Sequence, residues 1–210
     1  MGRCWNAYLL TEFGTQRHLV DIVLAAVRRL TGGAVRLERR RRYVLGDIRV
    51  TTPAPFEVPV SFALAGPGND LLGYLALWED TPERLQSRRE KHNHLLLGRS
   101  ESGVAFFAWF RILRQAGDGP EYVYIHTCFT TPEWRGRGIY KAGLRFILSW
   151  AADSGVTAAS IDVAENNVPS IRAIERCGFA LQGHYIAAVL FGRALSVMSP
   201  RLKACGPTSF

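Results

Sequence analysis

The sequence predicts an α/β fold in which helices flank a mixed, mostly antiparallel central sheet. The chain has 210 residues, of which 48% are hydrophobic and 21% charged. Its first half is rich in extended apolar runs, and strands alternate with amphipathic helices in its second half. The length suits one core rather than two. We therefore expect a single domain over residues 1–210, with an N-terminal half at 1–100 and a second half at 104–193.

The first half contains one clear helical pattern and several extended runs. Apolar residues recur at helical spacing from residue 15 to residue 30 and predict a helix. Thr81-Pro82-Glu83 is typical of a helix start, because proline is favoured in the first turn. Three runs rich in β-branched or aromatic residues predict strands: 41–50, 58–65 and 71–78.

The second half alternates strands and helices. Two strands are expected at 104–113 and 122–130, joined as in a hairpin by the turn-rich residues 116–120. An amphipathic helix is expected from Ile139 to about Gly155. A strand at 159–163 and a helix at 167–177 are then expected, a return into a strand begins at Phe179, and residues 187–191 are the candidate for the last strand.

The net charge of +8 comes mostly from arginine, because only three of the 26 basic residues are lysine. Such a surface attracts anions, and CoA, nucleic acid and anionic lipid are all candidates. The run of arginines at 39–42 is interpreted as a solvated edge, since no RNA-binding aromatic pattern accompanies it. No apolar stretch approaches the ~18 residues of a membrane helix, and the N-terminus lacks an apolar signal segment. We expect a cytoplasmic protein that does not bind a membrane.

The cysteines and histidines do not predict a metal site. The four cysteines are scattered without zinc-ligand spacing, so reduced thiols are expected. His92-Asn93-His94 has no carboxylate or cysteine near it in the sequence. We expect no metal.

A glycine-rich loop lies between the predicted strand at 122–130 and the helix that begins at Ile139. In Arg135-Gly136-Arg137-Gly138, the two glycines let an anion approach the main chain, and the two arginines add positive charge. A nucleotide-binding Walker loop is excluded, because no Gly-Lys-Ser/Thr follows. A dinucleotide fingerprint is disfavoured, because its third glycine is replaced by Lys141. The loop predicts a phosphate site at a helix N-terminus.

This loop resembles motif A of the GNAT superfamily of N-acetyltransferases, in which Arg/Gln-x-x-Gly-x-Gly/Ala follows a Pro-containing strand exit. The matching residues are Pro132, Arg135 and Gly138, whereas Tyr140 stands at the last Gly/Ala position. The resemblance implies that acetyl-CoA, or another acyl-CoA, is the co-substrate and that its pyrophosphate binds at Arg135, Gly136, Arg137, Gly138 and Ile139.

A second segment resembles motif B of the same family. Asn167 and Ser170 stand at helix-start spacing, and Gly178-Phe179 follows the helix. The resemblance covers about residues 122–191 and implies that Asn167 and Ser170 contact CoA. It also implies that the splayed end of the strand before motif A binds pantetheine, which here means Phe129 and Thr130.

The candidate for the catalytic base is His126, because histidine titrates near neutral pH and this one lies on the strand entering the site. Strand alternation places Cys128 and Thr130 on the same face as His126. A structural histidine is the alternative. Glu121 and Glu133 are further candidates, at the ends of predicted elements.

The proton donor to the leaving thiolate is harder to assign. Many relatives use a tyrosine in the motif B helix, but this sequence has Ile174 at that position. Tyr185 and Tyr140 are the substitutes, and a thiolate can also leave without an acid. Cys128 as an acyl-carrying nucleophile is an alternative to direct attack by the amine, and a buried apolar thiol is another interpretation of that residue.

The predicted function is acetyl transfer from acetyl-CoA to a primary amine of a small molecule or a protein. One alternative is a catalytically silent acyl-CoA-binding regulatory module, which the missing tyrosine favours. Another is an acetyltransferase toxin acting on aminoacyl-tRNA, which the positive charge favours. Partners are expected to be a small-molecule or peptide amine rather than nucleic acid, and a homodimer is possible.

Overall fold

A computed structural model describes residues 25–27, 29–32, 35–51, 58–66, 74–75, 77, 81, 83, 85–87, 93–114, 121–190 and 193–195. Its strands and helices are, in chain order, β1 (Val35–Leu45), α1 (Ile48–Thr51), β2 (Ser61–Leu64), β3 (His94–Ser100), β4 (Gly103–Arg114), β5 (Glu121–Thr130), α2 (Ile139–Asp153), β6 (Ala158–Ala164), α3 (Val168–Glu175), β7 (Ala180–Leu190) and β8 (Arg193–Leu195). None of the helices in this part of the chain is long and apolar enough to cross a membrane.

The chain divides into two compact units. Among the described residues, the larger unit comprises 41–183, and the smaller comprises those up to 40 together with 184–195. In the smaller unit β7 and β8 pair antiparallel, with Ala188 opposite Leu195. The single-domain organisation stays a prediction.

The sheet of the larger unit has the strand order β2-β3-β4-β5-β6-β1. The strands from β2 to β5 pair antiparallel, and β5 pairs parallel with β6. A parallel neighbour requires a crossover, which α2 provides between β5 and β6. The predicted mixed, mostly antiparallel sheet flanked by helices is confirmed.

Alternation along β4 separates two hydrophobic cores. Phe106 and Phe110 belong to the main core together with Leu144 of α2 and Ile174 of α3. The intervening residues of β4 point to the other face of the sheet, where a second core lies. Its buried members are Tyr74, Leu85, Leu95, Leu97, Phe107 and Trp109.

Two predictions for the first half were wrong in part. The strand predicted at 41–50 begins earlier, at Val35, and residues 48–51 are helical. The run at 71–78 contains helical residues at 74, 75 and 77 rather than a strand. A short apolar run does not distinguish a strand from a buried helix, and here Tyr74 packs against Trp109 and Phe107 as part of the second core.

The second half follows the predicted order of elements. The strands, both helices and the antiparallel pairing of β4 with β5 are confirmed, although residues 115–120 lie outside the described residues. The strand expected to begin at Phe179 begins at Ala180, and it continues as one strand through residues 187–190. Strand β3 was not predicted. The helix start at Thr81 is supported by the hydrogen bond from the Leu85 N–H to the Thr81 carbonyl, at 2.9 Å. Residues 15–24 of the first predicted helix lie outside the described residues.

Candidate CoA-binding and acyl-transfer site

Strands β5 and β6 diverge before either of them ends. Their register runs from Tyr122↔Ala158 to Ile125↔Ile161. Beyond that last pair, β5 continues to Thr130 and β6 to Ala164. The diverging ends expose strand edges to a ligand, because the backbone groups there lack the parallel partner that the first half of each strand has.

A β-bulge in β5 changes the direction of the side chains that enter this divergence. The register with β4 passes from Trp109↔His126 to Phe107↔Phe129, so Thr127 and Cys128 together lie opposite one residue of β4. Thr127 has a φ of 50°, which is a strained value for a β-branched residue. The bulge therefore shifts the alternation of β5 by one residue.

The bulge overturns the prediction that His126 shares a face with Cys128 and Thr130. His126 is paired with Trp109 of the second core, whereas Cys128 packs against the main core. Thr130 is opposite Phe106 and so lies on the main-core side with Cys128. Strand alternation predicted a shared face because a bulge cannot be read from the period-2 pattern.

Phe129 and Thr130 lie where the divergence meets the glycine loop. The Thr131 N–H donates to the Ala105 carbonyl at 3.0 Å, so the antiparallel alternation directs the N–H of Thr130 away from β4. The Arg135 Nε donates to the Thr130 carbonyl at 3.1 Å, and its guanidinium lies 5.7 Å from the Phe129 ring centre. Arg135 thus joins the loop to the strand end.

The glycine loop presents main-chain groups rather than side chains. Gly136 and Gly138 have φ values of 74° and 76°, and a Cβ on Gly136 would meet no atom within 4 Å. Gly138 is the N-cap of α2 and gives it no side-chain cap. The first N–H groups of α2, from Ile139 onward, have no acceptor within the helix and lie at the positive end of its dipole. This combination favours a bound anion.

Arg137 stands at the exposed rim of the loop. Its guanidinium lies 4.9 Å from the ring centre of Trp134, which belongs to the 3-10 turn Pro132–Trp134. Glu133 of the same turn is exposed. The predicted positive rim is present, and each arginine is held by an aromatic ring.

The motif B helix begins with a side-chain cap. The Asn167 Oδ1 accepts from the Ser170 N–H at 3.3 Å, and Gly178, with a φ of 89°, follows the helix before the buried Phe179. Ile174 is fully buried in the main core. The position of the family tyrosine is therefore a packing position in this chain.

Tyr140 fills the space that a Gly or Ala would leave in motif A. Its ring packs edge-on against Phe106, with the centres 6.2 Å apart. Burial raises the Tyr140 pKa well above its ordinary value. The close approach of α2 to the sheet occurs instead at Gly143, where a Cβ would lie 2.5 Å from the Phe106 ring.

Cys128 is a poor nucleophile in this setting. Desolvation raises the pKa of its thiol to about 12, against a smaller opposing effect of the hydrogen bond with Tyr140. The thiolate is the reactive form, so the acyl-carrying role is not supported. Cys128 is partly buried and packs against the main core.

His126 is the first residue of β5 beyond the last pair with β6. Its Nε2 lies 3.1 Å from the Asn93 Oδ1, and its Nδ1 lies 3.0 Å from the Thr127 Oγ1. The Tyr124 ring stacks against it at 5.5 Å. Neither Asn93 nor Thr127 was predicted from the sequence, because their role depends on β3 and on the bulge.

Two other candidates lie elsewhere. Glu121 is at the opposite end of β5 and pairs with Arg114 at 2.9 Å, roughly 30 Å of strand from Thr130. Tyr185 lies on β7 in the smaller unit and is half-buried, and its catalytic role stays a prediction. Among the residues the structure describes, no cluster of three metal ligands occurs.

The arginines of β1 in the larger unit are engaged in ion pairs. Arg42 binds both oxygens of Asp162 at 2.8 Å each, and the Tyr124 hydroxyl donates to the same carboxylate at 3.0 Å. Arg41 pairs with Glu165 at 3.1 Å. These carboxylates belong to the end of β6 and the residue following it, so arginines interpreted as a solvated edge stabilise the sheet instead.

Comparisons with known proteins agree with this architecture. The family model described as "Acetyltransferase (GNAT) family" matches residues 57–179. No curated protein matches the chain. Among solved structures, a functionally unknown conserved protein from Staphylococcus epidermidis is similar with a TM-score of 0.56 and 11% identity, over 76% of this chain and 64% of that chain.

Two structures with family names are similar to the same degree. One is a putative GNAT acetyltransferase from Novosphingobium aromaticivorans, with a TM-score of 0.54 and 21% identity, over 73% of this chain and 63% of that one. The other is a GCN5-related N-acetyltransferase from Sphaerobacter thermophilus, with a TM-score of 0.53 and 21% identity, over 82% and 58%. This chain spans about three fifths of the length of these proteins. The family model covers more than half of the chain, and the diverging strands and the glycine loop lie within it, so this protein belongs to the GNAT acetyltransferase family.

Proposed function

We propose that this protein is an acetyl-CoA-dependent N-acetyltransferase that acetylates a primary amine by direct attack. The observation that carries the proposal is the position of the glycine loop directly after the diverging end of β5. An anion site and an exposed strand edge in succession suit a long ligand with a pyrophosphate at one end and an amide-rich arm at the other.

The residues that would hold CoA follow from this arrangement. The N–H groups from Gly136 to Ile139 would bind the pyrophosphate, with Arg135 and Arg137 supplying charge at the rim. The Thr130 N–H, which points away from β4, would bind pantetheine as an added strand partner would, and Phe129 is proposed to contact the same arm. Asn167 and Ser170, at the start of α3, are proposed to contact the same arm. Bound acetyl-CoA would supply the acyl group as an activated thioester.

Direct attack is favoured over a covalent enzyme intermediate. The raised pKa of Cys128 leaves almost no thiolate at neutral pH. His126 stands at the mouth of the divergence and is the proposed base for the proton of the amine. Tyr140 and Tyr185 are the proposed sources of a proton for the leaving sulfur, and Tyr140 is the one within the larger unit.

The acceptor is proposed to be a small-molecule or peptide amine. His126 lies on the sheet face that carries Trp109 and Phe107, and the helical residues 74–75 and 85 pack on that second core. An acceptor that reaches His126 would approach from this side. The cytoplasmic location and the homodimer stay predictions.

A catalytically silent acyl-CoA-binding module is the second candidate. The buried Ile174 favours it, since a core isoleucine cannot donate a proton. Thiol release from acetyl-CoA, measured across a panel of amines, amino acids and peptides beside calorimetric titration of CoA, separates the two. Turnover that is lost in His126→Ala supports the enzyme. CoA binding without turnover for any acceptor or acyl-CoA supports the silent module.

A further inference from the structure

We propose that Asn93, His126 and Thr127 form a proton relay that removes the proton of the acceptor amine during acyl transfer. The proposal rests on the proposed function and adds two residues to it. Asn93 is a positioning residue that fixes the tautomer of the imidazole, and Thr127 passes the proton through its hydroxyl.

The hydrogen bonds of His126 define its tautomer. The Asn93 Oδ1 is a carbonyl oxygen and only accepts, so the His126 Nε2, 3.1 Å away, carries the hydrogen. The lone pair of the neutral ring is therefore on Nδ1. The Thr127 hydroxyl, 3.0 Å from Nδ1, donates to it. In this arrangement the basic nitrogen, Nδ1, is hydrogen-bonded to Thr127 in the bulge, and Nε2 is hydrogen-bonded to Asn93.

The backbone of Thr127 is a second, independent observation. A φ of 50° is unfavourable for a β-branched residue. The ladder enforces it, because the pairs Trp109↔His126 and Phe107↔Phe129 hold β5 on both sides of the bulge. A regular strand would place the side chain of residue 127 on the opposite face from His126. The bulge instead places the Thr127 hydroxyl against Nδ1.

Several charged and titratable groups of the described residues lie near the ring. Tyr124 of β5 stacks on His126, and the Arg111 guanidinium of β4 lies 5.9 Å from the Tyr124 ring centre. Asp162 of β6 accepts from the Tyr124 hydroxyl and is bound at both oxygens by Arg42 of β1. The carboxylate charge on this face is thus matched by a guanidinium. His94 of β3 stacks with Phe110, whose ring belongs to the main core on the opposite face.

The proposed step balances as follows. The amine nitrogen forms a bond to the acyl carbon, and the carbon–sulfur bond breaks with its electron pair on sulfur. The amine proton passes to the Thr127 Oγ1 as the hydroxyl proton passes to the His126 Nδ1. The imidazolium that results donates from Nε2 to the Asn93 Oδ1, a charge-assisted bond that is stronger than the neutral one. The proton then leaves to the thiolate or to solvent.

A matched pair of Thr127 variants tests the relay. Thr127→Val keeps the β-branched shape and removes the hydroxyl, whereas Thr127→Ser keeps the hydroxyl. We expect Thr127→Val to lower kcat on the order of 10²-fold, with the calorimetric affinity for CoA unchanged, and Thr127→Ser to retain activity. A Thr127→Val variant that binds CoA and turns over at the wild-type rate would overturn the relay.

Asn93 is tested through the pH profile, which a merely structural role would not move. Asn93→Asp places a carboxylate on Nε2 and favours the imidazolium, so the acid limb of the kcat profile is expected to move to higher pH. Asn93→Ala is expected to lower kcat by up to about 100-fold. An unmoved limb in Asn93→Asp would contradict the role of Asn93. If the wild-type protein binds CoA but turns over no acceptor, the proposed function itself is overturned. A wild-type rate in Thr127→Val overturns only the relay.

Discussion

Gly143 of α2 lies directly against the ring of Phe106 of β4. A Cβ at this glycine would be 2.5 Å from the Phe106 Cε1 and 2.7 Å from its Cζ. The ring cannot easily move, because it also packs against Phe62 and Tyr140. This contact sets how closely the helix that begins with the glycine loop approaches the sheet.

We expect Gly143→Ala to destabilise the fold by about 1–3 kcal/mol, since overpacking displaces a buried ring. The measurement is the free energy of unfolding by urea. Gly46→Ala is the control, because a Cβ there meets nothing within 4 Å and the φ of Gly46 is not positive. Equal stability of the two variants would contradict the rigid contact.

The ion pair of Arg42 with Asp162 predicts a strong asymmetry between single and double substitution. The Asp162 side chain is 3% exposed, so Arg42→Met leaves a buried carboxylate without its cation and is expected to cost about 3–5 kcal/mol. The double variant Arg42→Met/Asp162→Leu is expected to recover most of that loss. The exposed pair Arg114–Glu121 is the comparison, and Arg114→Met should cost roughly 0–1 kcal/mol. Similar losses at both arginines would show that burial does not decide these effects.

Cys128 predicts how stability changes with alkaline pH. Its pKa is raised from 9.0 to about 12 in the fold, so the folded protein keeps a proton that the unfolded chain loses. The contribution of the protonated thiol to the free energy of unfolding is complete below pH 9.0 and is lost as the pH rises toward about 12. The raised pKa values of Tyr43 and Cys177 act in the same direction. Denaturant unfolding from neutral to alkaline pH should therefore show falling stability, with a shallower fall in Cys128→Ala.

From the raised pKa of the same thiol, we expect that turnover does not pass through an acyl-cysteine thioester. Cys128→Ala is expected to keep kcat within a few-fold of wild type, because a thiol with a raised pKa is not the nucleophile. Mass spectrometry of the protein quenched during turnover should find no acyl group on the Cys128 peptide. An acylated peptide together with an inactive alanine variant would establish a covalent intermediate instead.

The sequence predicted the strands and helices of the second half well and those of the first half less well. The glycine loop and the cap of α3 depend on local residue order, so the helix starts that follow Gly138 and Asn167 could be predicted from the sequence. The contacts of these residues with CoA stay predictions. The bulge at Thr127 depends on pairing between β4 and β5, which the alternation of side chains does not reveal. Asn93 reaches His126 from the residue before β3, and β3 itself was not predicted.

The second core explains the failure at 71–78. The sequence around Tyr74 has no clear helical periodicity. In the structure, however, the Tyr74 hydroxyl accepts a hydrogen bond from the Trp109 Nε1 at 3.0 Å. Such a contact decides the conformation of a short apolar run. It joins residues that are distant in sequence, so it cannot be predicted from the run itself.

The central claim is that CoA binds through the main chain at Gly136–Gly138, and calorimetric titration of CoA into matched glycine variants tests it most directly. Gly136 and Gly155 both have positive φ values, 74° and 82°, and a Cβ on either meets nothing within 4 Å. Alanine therefore strains both backbones alike, but only Gly136 lies in the loop and Gly155 follows the other end of α2. We expect Gly136→Ala to weaken CoA binding at least about tenfold, and Gly155→Ala to bind as wild type does. Wild-type affinity in Gly136→Ala, or no CoA binding by the wild-type protein, would contradict the account.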